Sequence, residues 1–262
     1  MAFHLYHYDP SVAAAVIFIT LFTITTALHL FQMVQTRTWF FLPFCCGGIF
    51  EIVGYIGRAK PDTLGAYIIQ SIFLLVAPAL FAASIYMELG RIVALLTAIF
   101  VTGDVISFFM QGGGGGMMSS DEADTRDTGK TLIVAGLFVQ IVFFGCFVIT
   151  SALFHKRLRL VPTQKVLTNN PPYARHLIAL YVTSVLIFIR SLVRVIEFIQ
   201  GFDGFIISHE IFIYLFDAVP MLAVMLIMNW VHPSEVKTLL TGGKMAKGFR
   251  LVDYSDVNQA SG

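Results

Sequence analysis

Seven long apolar stretches, separated by short polar segments, constrain the fold of this chain more than any other feature. Each stretch is long enough to cross roughly 30 Å of hydrocarbon, which takes about 20 helical residues. Lipid favours helices because all backbone polar groups are then satisfied within one segment, and the alternation of membrane strands is missing. We therefore predict an all-α polytopic membrane protein, a bundle of seven transmembrane helices. The stretches cover approximately residues 11–34, 39–57, 64–88, 92–111, 131–154, 176–199 and 206–231.

The composition excludes several classes of protein. Hydrophobic residues make up 57% and charged residues 13% of the 262 residues, whereas a soluble domain carries about 25% charged residues. The formal net charge is +1. The sequence has no basic patch interleaved with aromatic residues, so we expect no nucleic-acid partner. The sequence contains no nucleotide motif and no metal-binding motif. We therefore expect no cofactor, no metal and no catalytic residues.

The loops indicate an orientation and a division of the chain. Lys and Arg are concentrated in the loops on the carboxyl-terminal side of the bundle, and such loops face the cytosol. We expect an extracellular tail over residues 1–10, a transmembrane domain over 11–231 and a cytosolic tail over 232–262. We expect the cytosolic tail to be partly disordered.

Polar side chains form a stripe on each of four predicted helices. Spacings of three, four and seven residues place each set on one helical face. A charged group at mid-bilayer costs roughly 3 kcal/mol, so the stripes should face one another or a wet cavity. We predict a polar cup in the outer half of the bilayer, which Gln70 and Gln140 also enter. The stripes are Glu51, Tyr55 and Arg58; Asp104, Ser107 and Gln111; Arg190, Arg194 and Glu197; and Glu210, Tyr214 and Asp217.

The charges in these stripes do not balance. Five acids (Glu51, Asp104, Glu197, Glu210 and Asp217) face three arginines (Arg58, Arg190 and Arg194), so full pairing leaves two acids over. The two are either protonated, because burial disfavours the charged form, or available to a cationic ligand. The alternative is that all the charged groups only form interhelical contacts that fix helix register.

Two prolines are predicted to act as hinges. Pro78 in the third helix and Pro220 in the seventh each free the carbonyl four residues earlier. Those carbonyls belong to Leu74 and Phe216. Each site is either a moving hinge or a static kink filled by a neighbouring helix.

A glycine run follows the fourth apolar stretch. Residues 112–116 resemble a phosphate-binding loop but lack the following Lys-Ser/Thr and a preceding strand. We expect the run to end the helix as a flexible lip, and the acidic segment 119–130 to be a solvated loop.

Together, these motifs resemble the fungal lipid-translocating exporter family, also described as aminocholesterol-resistance or RTA-like proteins. The resemblance covers about residues 10–232, and it depends on the combination of the motifs. The matching motifs are Glu51-x-x-Gly54-Tyr55-x-x-Arg58; Gln70 with Ala77-Pro78 and Tyr86; Gly90-Arg91; Asp104-x-x-Ser107-x-x-x-Gln111-Gly-Gly-Gly; Gly136-Leu137-x-x-Gln140; Arg190-x-x-x-Arg194-x-x-Glu197; and Glu210-x-x-x-Tyr214-x-Phe216-Asp217-x-x-Pro220-Met221.

The resemblance implies a seven-helix protein of the plasma membrane or an internal membrane. Relatives are associated with release of sphingoid long-chain bases, resistance to sterol-like toxins or porphyrin uptake. It therefore implies translocation of a membrane lipid or lipid-like amphiphile, most simply at the plasma membrane. Because no nucleotide motif is present, the energy would come from a gradient or from proton transfer through acids such as Asp104 or Asp217. A seven-helix lipid-sensing receptor is the alternative, and the oligomeric state stays open.

Overall fold

The computed structural model describes most of the chain. The described residues are 10–60, 63–90, 94–118, 120, 122–160, 173–201, 204–235, 238, 244–247 and 250–253.

The transmembrane part of the described chain is entirely helical. Six of its helices are long and apolar enough to cross a membrane, which confirms an all-α polytopic architecture. The predicted fourth stretch also forms a helix, but it is not among those six, so the seventh span stays a prediction, as does the orientation. The helices are α1 (Val12–Thr36), α2 (Leu42–Arg58, after a 3-10 turn at Trp39–Phe41), α3 (Leu64–Gly90), α4 (Ala94–Met117), α5 (Ala123–Leu160), α6 (Tyr173–Gln200) and α7 (Glu210–Trp230).

Helices that follow one another along the chain pack side by side, and the bundle closes on itself. Each helix contacts the next, α7 returns to α1, and α3 also contacts α5 and α6. Polar groups hold the α1–α7 seam, where Gln32 Nε2 donates to the Asn229 carbonyl at 3.3 Å. Large apolar side chains such as Val142 and Ile178 lie exposed on the outside, where lipid would cover them.

The glycine run does not end α4, and this prediction was wrong. The helix continues to Met117, and two glycines, one on α4 and one on α5, face each other where these helices pack. A Cβ on Gly114 would lie 2.6 Å from the Gly129 carbonyl oxygen, and one on Gly129 would lie 2.7 Å from the Gly114 oxygen. Glycine costs about 1 kcal/mol in a helix, but here it permits the close backbone approach typical of membrane helices.

The predicted acidic loop is largely helical as well. Helix α5 begins at Ala123, so residues 123–130 form its first turns. Acidic side chains are favourable at this position because the amino-terminal end of a helix carries a partial positive charge. This extension brings Asp127 and Lys130 beside the ends of the neighbouring helices.

A small antiparallel hairpin follows the bundle, and the sequence did not predict it. Strand β1 (Lys244–Lys247) pairs with β2 (Arg250–Asp253), and β1 packs against α1. The Ala246 N–H donates to Ser234 Oγ at 2.9 Å. The hairpin is therefore attached to the end of the bundle where α7 ends.

A histidine bridges three segments at this same end. His176, near the start of α6, contacts Glu88 Oε1 of α3 at 3.2 Å through Nδ1. Its Nε2 lies 3.0 Å from Oε2 of Glu235, which follows α7. All three side chains are buried, so the bridge ties α3, α6 and the segment after α7 together.

His232 lies just beyond α7, and burial lowers its pKa to about 3, with a smaller contribution from nearby His29 and His176. Its Nδ1 accepts a hydrogen bond from the Ser234 N–H at 3.2 Å. The neutral ring is therefore the folded form. Above the pKa of about 6.5 that histidine has in the unfolded chain, His232 does not change the stability. Below that pH the unfolded chain binds a proton at this histidine and the folded protein does not, so unfolding becomes more favourable.

We expect acid to destabilise the protein through this histidine. Between pH 6.5 and the lowered pKa the loss is about 1.4 kcal/mol per pH unit, or about 2 kcal/mol at pH 5. His232→Asn keeps an acceptor for Ser234 and should lose correspondingly less stability between pH 7.5 and 5. Thermal unfolding of both proteins in detergent checks this, and equal losses would contradict it.

Candidate functional site

A cluster of polar groups joins α2 and α7 at the end of the bundle opposite the histidine bridge. Arg58, the last residue of α2, donates from Nη2 to Glu210 Oε1 at 2.8 Å and from Nε to the Tyr214 hydroxyl at 3.1 Å. Its guanidinium carbon also lies 5.2 Å from the centre of the Tyr214 ring. The Ser11 N–H donates to the same Glu210 oxygen at 2.8 Å. The start of α1 is thereby attached to this cluster.

One turn deeper, Asp217 is the centre of a second cluster. Arg190 of α6 places Nη2 2.6 Å from Asp217 Oδ1, and the Tyr55 hydroxyl donates to Oδ2 at 3.3 Å. The same arginine donates to the Leu74 carbonyl, which is the carbonyl that Pro78 frees. The Leu74 carbonyl of α3, which has no helical hydrogen bond because of Pro78, therefore accepts one from the Arg190 side chain of α6.

Helix α7 changes its geometry at Asp217. The segment Tyr214–Ala218 is a π-helical turn, closed by a hydrogen bond from the Val219 N–H to the Tyr214 carbonyl. Such a turn inserts one extra residue into the helix and is frequent at functional sites. Asp217 lies within this turn, and Pro220 lies two residues beyond its end. The hinge role of Pro220 stays a prediction.

The third arginine pairs within its own helix. Arg194 Nη1 lies 2.8 Å from Glu197 Oε2, and both side chains are largely buried. The three arginines thus pair with Glu210, Asp217 and Glu197. In the described part of the chain, no ion pair involves Glu51 or Asp104.

The α4 stripe forms a separate network with α5. Ser107 Oγ donates to the Gly136 carbonyl at 2.7 Å, and Gln111 Nε2 donates to Ser107 Oγ at 2.6 Å and to Gln140 Oε1 at 2.9 Å. Asp104 lies beside the hydroxyl of Tyr86 on α3. These contacts join α4 to α5 and α3, and none of the described contacts links them to the arginine clusters.

A cavity of about 340 Å³ lies between the ends of α2 to α7. Five residues of the predicted site line it, and so do Asp127, Lys130 and His209, three charged or imidazole side chains that the sequence patterns did not indicate. Apolar and aromatic side chains form most of the rest of the wall. The five predicted residues are Arg58, Gln70, Arg194, Glu197 and Asp217, and the aromatic residues are Tyr67, Phe198, Phe212 and Phe216.

The remaining predicted residues stand at different distances from this cavity. Tyr55, Arg190, Glu210 and Tyr214 contact residues of its wall through the two clusters described above. Glu51 and Asp104 are buried but are not among the described residues that line it. Five of the predicted residues therefore line a cavity, while others form buried polar contacts next to it. The position of this cavity in the outer half of the bilayer stays a prediction.

The lining carries charges of both signs beside an apolar wall. Arg58 and Arg194 are each neutralised by an acid, so neither is a bare cation. The ammonium group of Lys130 lies close to Gly201, since a Cβ added to this glycine would be 3.1 Å from Lys130 Nζ. Such a lining accommodates a molecule with a polar head and an apolar body, in a volume typical of ligand pockets.

This architecture is that of an integral membrane protein with a cavity of mixed polar and apolar lining between the ends of its helices. The family model described as "RTA1 like protein" matches residues 44–238. The chain belongs to this family, which confirms the resemblance found in the sequence.

Named relatives from Saccharomyces cerevisiae align with most of the chain. Protoporphyrin uptake protein 1 is 42% identical, over 86% of this chain and 90% of its own length. Protein RTA1 is 39% identical, over 99% and 95%. Sphingoid long-chain base transporter RSB1 is 24% identical, over 86% and 72%. No solved structure matches the chain.

Proposed function

We propose that this protein is an ATP-independent membrane transporter of amphipathic lipids that binds its substrate in the cavity between the ends of α2 to α7. The observation that carries the proposal is the mixed lining of that cavity. Paired charges at Arg58, Arg194 and Asp217 stand beside aromatic residues such as Phe212. The polar groups would bind a head group, while the apolar wall would contact the start of a hydrocarbon chain.

The names of the relatives support this substrate class. One is named for protoporphyrin uptake and another for transport of sphingoid long-chain bases. Both kinds of molecule combine a large apolar part with ionisable groups, but of opposite sign. A cavity lined by Asp127, Glu197 and Asp217 as well as by Arg58 and Lys130 suits either chemistry. We propose the plasma membrane as its location, and transport rather than an enzymatic reaction as its activity.

The mechanism we propose uses the irregular part of α7. Asp217 is held between Tyr55 and Arg190 inside the π-helical turn. A ligand that binds Asp217 competes with Arg190 for this carboxylate. The π-helical turn then allows the backbone of α7 to change its conformation around Asp217. Pro78 and Pro220 would be the hinges of this adjustment.

A lipid-movement assay tests the proposal. Purified protein is placed in liposomes with a fluorescent sphingoid base on one leaflet, and its arrival on the other leaflet is followed by quenching. We expect faster movement than in protein-free liposomes, and a rate reduced about tenfold by Asp217→Asn, which corresponds to about 1.4 kcal/mol. Saturable binding without any accelerated movement would contradict transport and favour the lipid-sensing receptor.

A further inference from the structure

Glu51 of α2 is fully buried, and the proposed binding of substrate does not use it. Its side chain has no exposed surface. Neither of its carboxyl oxygens has a hydrogen-bond partner among the described residues. It is also absent from the described residues that line the cavity. A direct contact between Glu51 and a bound head group therefore does not explain its presence.

The charged surroundings of Glu51 come from two helices. Asp217 of α7 and Arg190 and Arg194 of α6 are close enough to act on it electrostatically, and Tyr55 is the titratable neighbour on its own helix. Within the described residues, α1 and α3 add no charged group to this set. Arg194 already pairs with Glu197. One arginine, Arg190, therefore stands between two acids.

Electroneutrality determines the protonation of this group of three. Arg190 and Asp217 form an ion pair, so an ionised Glu51 would leave one uncompensated negative charge in a buried site, which is strongly unfavourable. A proton on Glu51 removes that charge. Arg190 also has an unused hydrogen-bond donor, since its buried Nε has no partner within the described chain.

We propose that Glu51 is a proton-binding site that exchanges its proton for a cationic head group bound at Asp217. This inference rests on the proposed transport function. When an ammonium head reaches Asp217 through the cavity, Arg190 turns its free Nε towards Glu51. The O–H bond of Glu51 then breaks, its electron pair stays on the carboxylate and the proton leaves to water in the cavity. The group carries no net charge before or after the exchange, so one cation enters for each proton released.

The exchange has a measurable signature in the pH dependence of binding. One proton released per bound cation makes the dissociation constant fall about tenfold for each unit of increasing pH. A fluorescent long-chain amine is the probe, because an amine with an ordinary pKa near 10 stays charged from about pH 6 to about pH 8. Binding to the full chain in nanodiscs is followed by anisotropy, and proton release by an indicator dye in weak buffer.

Two substitutions test whether Glu51 is the residue that releases the proton. Glu51→Gln should bind the amine more weakly, with no dependence on pH and no proton release, because its amide cannot lose a proton to balance the entering charge. Asp104→Asn removes the other unpaired acid and should keep the tenfold dependence.

Each outcome of this experiment decides between the two proposals. If the parent protein moves lipid but binds the amine equally at every pH, the proton exchange is wrong and the transport function stands. An unchanged pH dependence in Glu51→Gln, or its loss in Asp104→Asn, also overturns the assignment to Glu51. If the protein neither binds nor moves the amine, the transport proposal fails for this substrate, and the exchange fails with it.

Discussion

Replacing Arg190 with methionine is expected to lower the free energy of unfolding by about 3–5 kcal/mol, because it leaves a buried charge without its partner. Arg190 is 1% exposed and Asp217 is 2% exposed. The arginine compensates Asp217 and also donates to the Leu74 carbonyl that Pro78 frees. Methionine fills most of the space but provides neither contact. Chemical unfolding in detergent micelles, monitored by circular dichroism, measures the change.

A second substitution separates loss of charge from loss of packing. In the double variant Arg190→Met with Asp217→Asn, no uncompensated acid remains at the pair, so much of the lost stability should return. Arg194→Met is the matched control on the same helix. Its partner Glu197 is more exposed, at 18% against 3% for the Asp217 side chain, and can be hydrated from the cavity, so the loss should be smaller. A double variant no more stable than Arg190→Met would contradict the electrostatic explanation.

Filling the cavity is expected to have the largest effect on transport. Val193 of α6 lines the cavity, and Val193→Trp would place an indole in the space that we assign to the substrate. We expect the movement of a fluorescent sphingoid base to fall at least about tenfold, a loss of about 1.4 kcal/mol of binding. The liposome assay described above measures it directly.

The neighbouring residue gives a closely matched control. Leu192 is 39% exposed on the outside of the bundle, so Leu192→Trp adds the same ring to the same helix but directs it towards lipid. Its transport rate should remain near that of the parent protein. Equal losses in the two variants would show that added bulk disturbs the fold, and a Val193→Trp protein with full activity would exclude the cavity as the route.

The sequence predicted the helices well because their length and hydropathy are local properties. The stripes on α2, α6 and α7 were also recognisable, since periodicity decides which side chains share a face. Periodicity does not decide which helix a face meets. The contact between Arg58 and Glu210 joins residues 152 positions apart, so this partner became visible only in the folded bundle.

The α4 stripe shows that periodicity alone also does not tell a binding surface from a polar contact between helices. Ser107 and Gln111 have the spacing of a binding surface, yet in the structure they bond to Gly136 and Gln140 of α5. A polar face that fixes register and one that lines a cavity follow the same sequence rule. The contribution of Lys130 was missed for a related reason, because the acidic segment before it reads as a loop by composition.

Photolabelling tests the central claim, that an amphiphile occupies the cavity between the ends of α2 to α7, most directly. A long-chain amine with a photoreactive group beside its head is irradiated with the protein in nanodiscs, and the labelled residues are identified by mass spectrometry. We predict labels on cavity residues such as Tyr67, Phe198 and Phe212, removed by excess unlabelled amine and by Val193→Trp. Labels confined to outward-facing residues such as Ile178, unaffected by competitor, would contradict it.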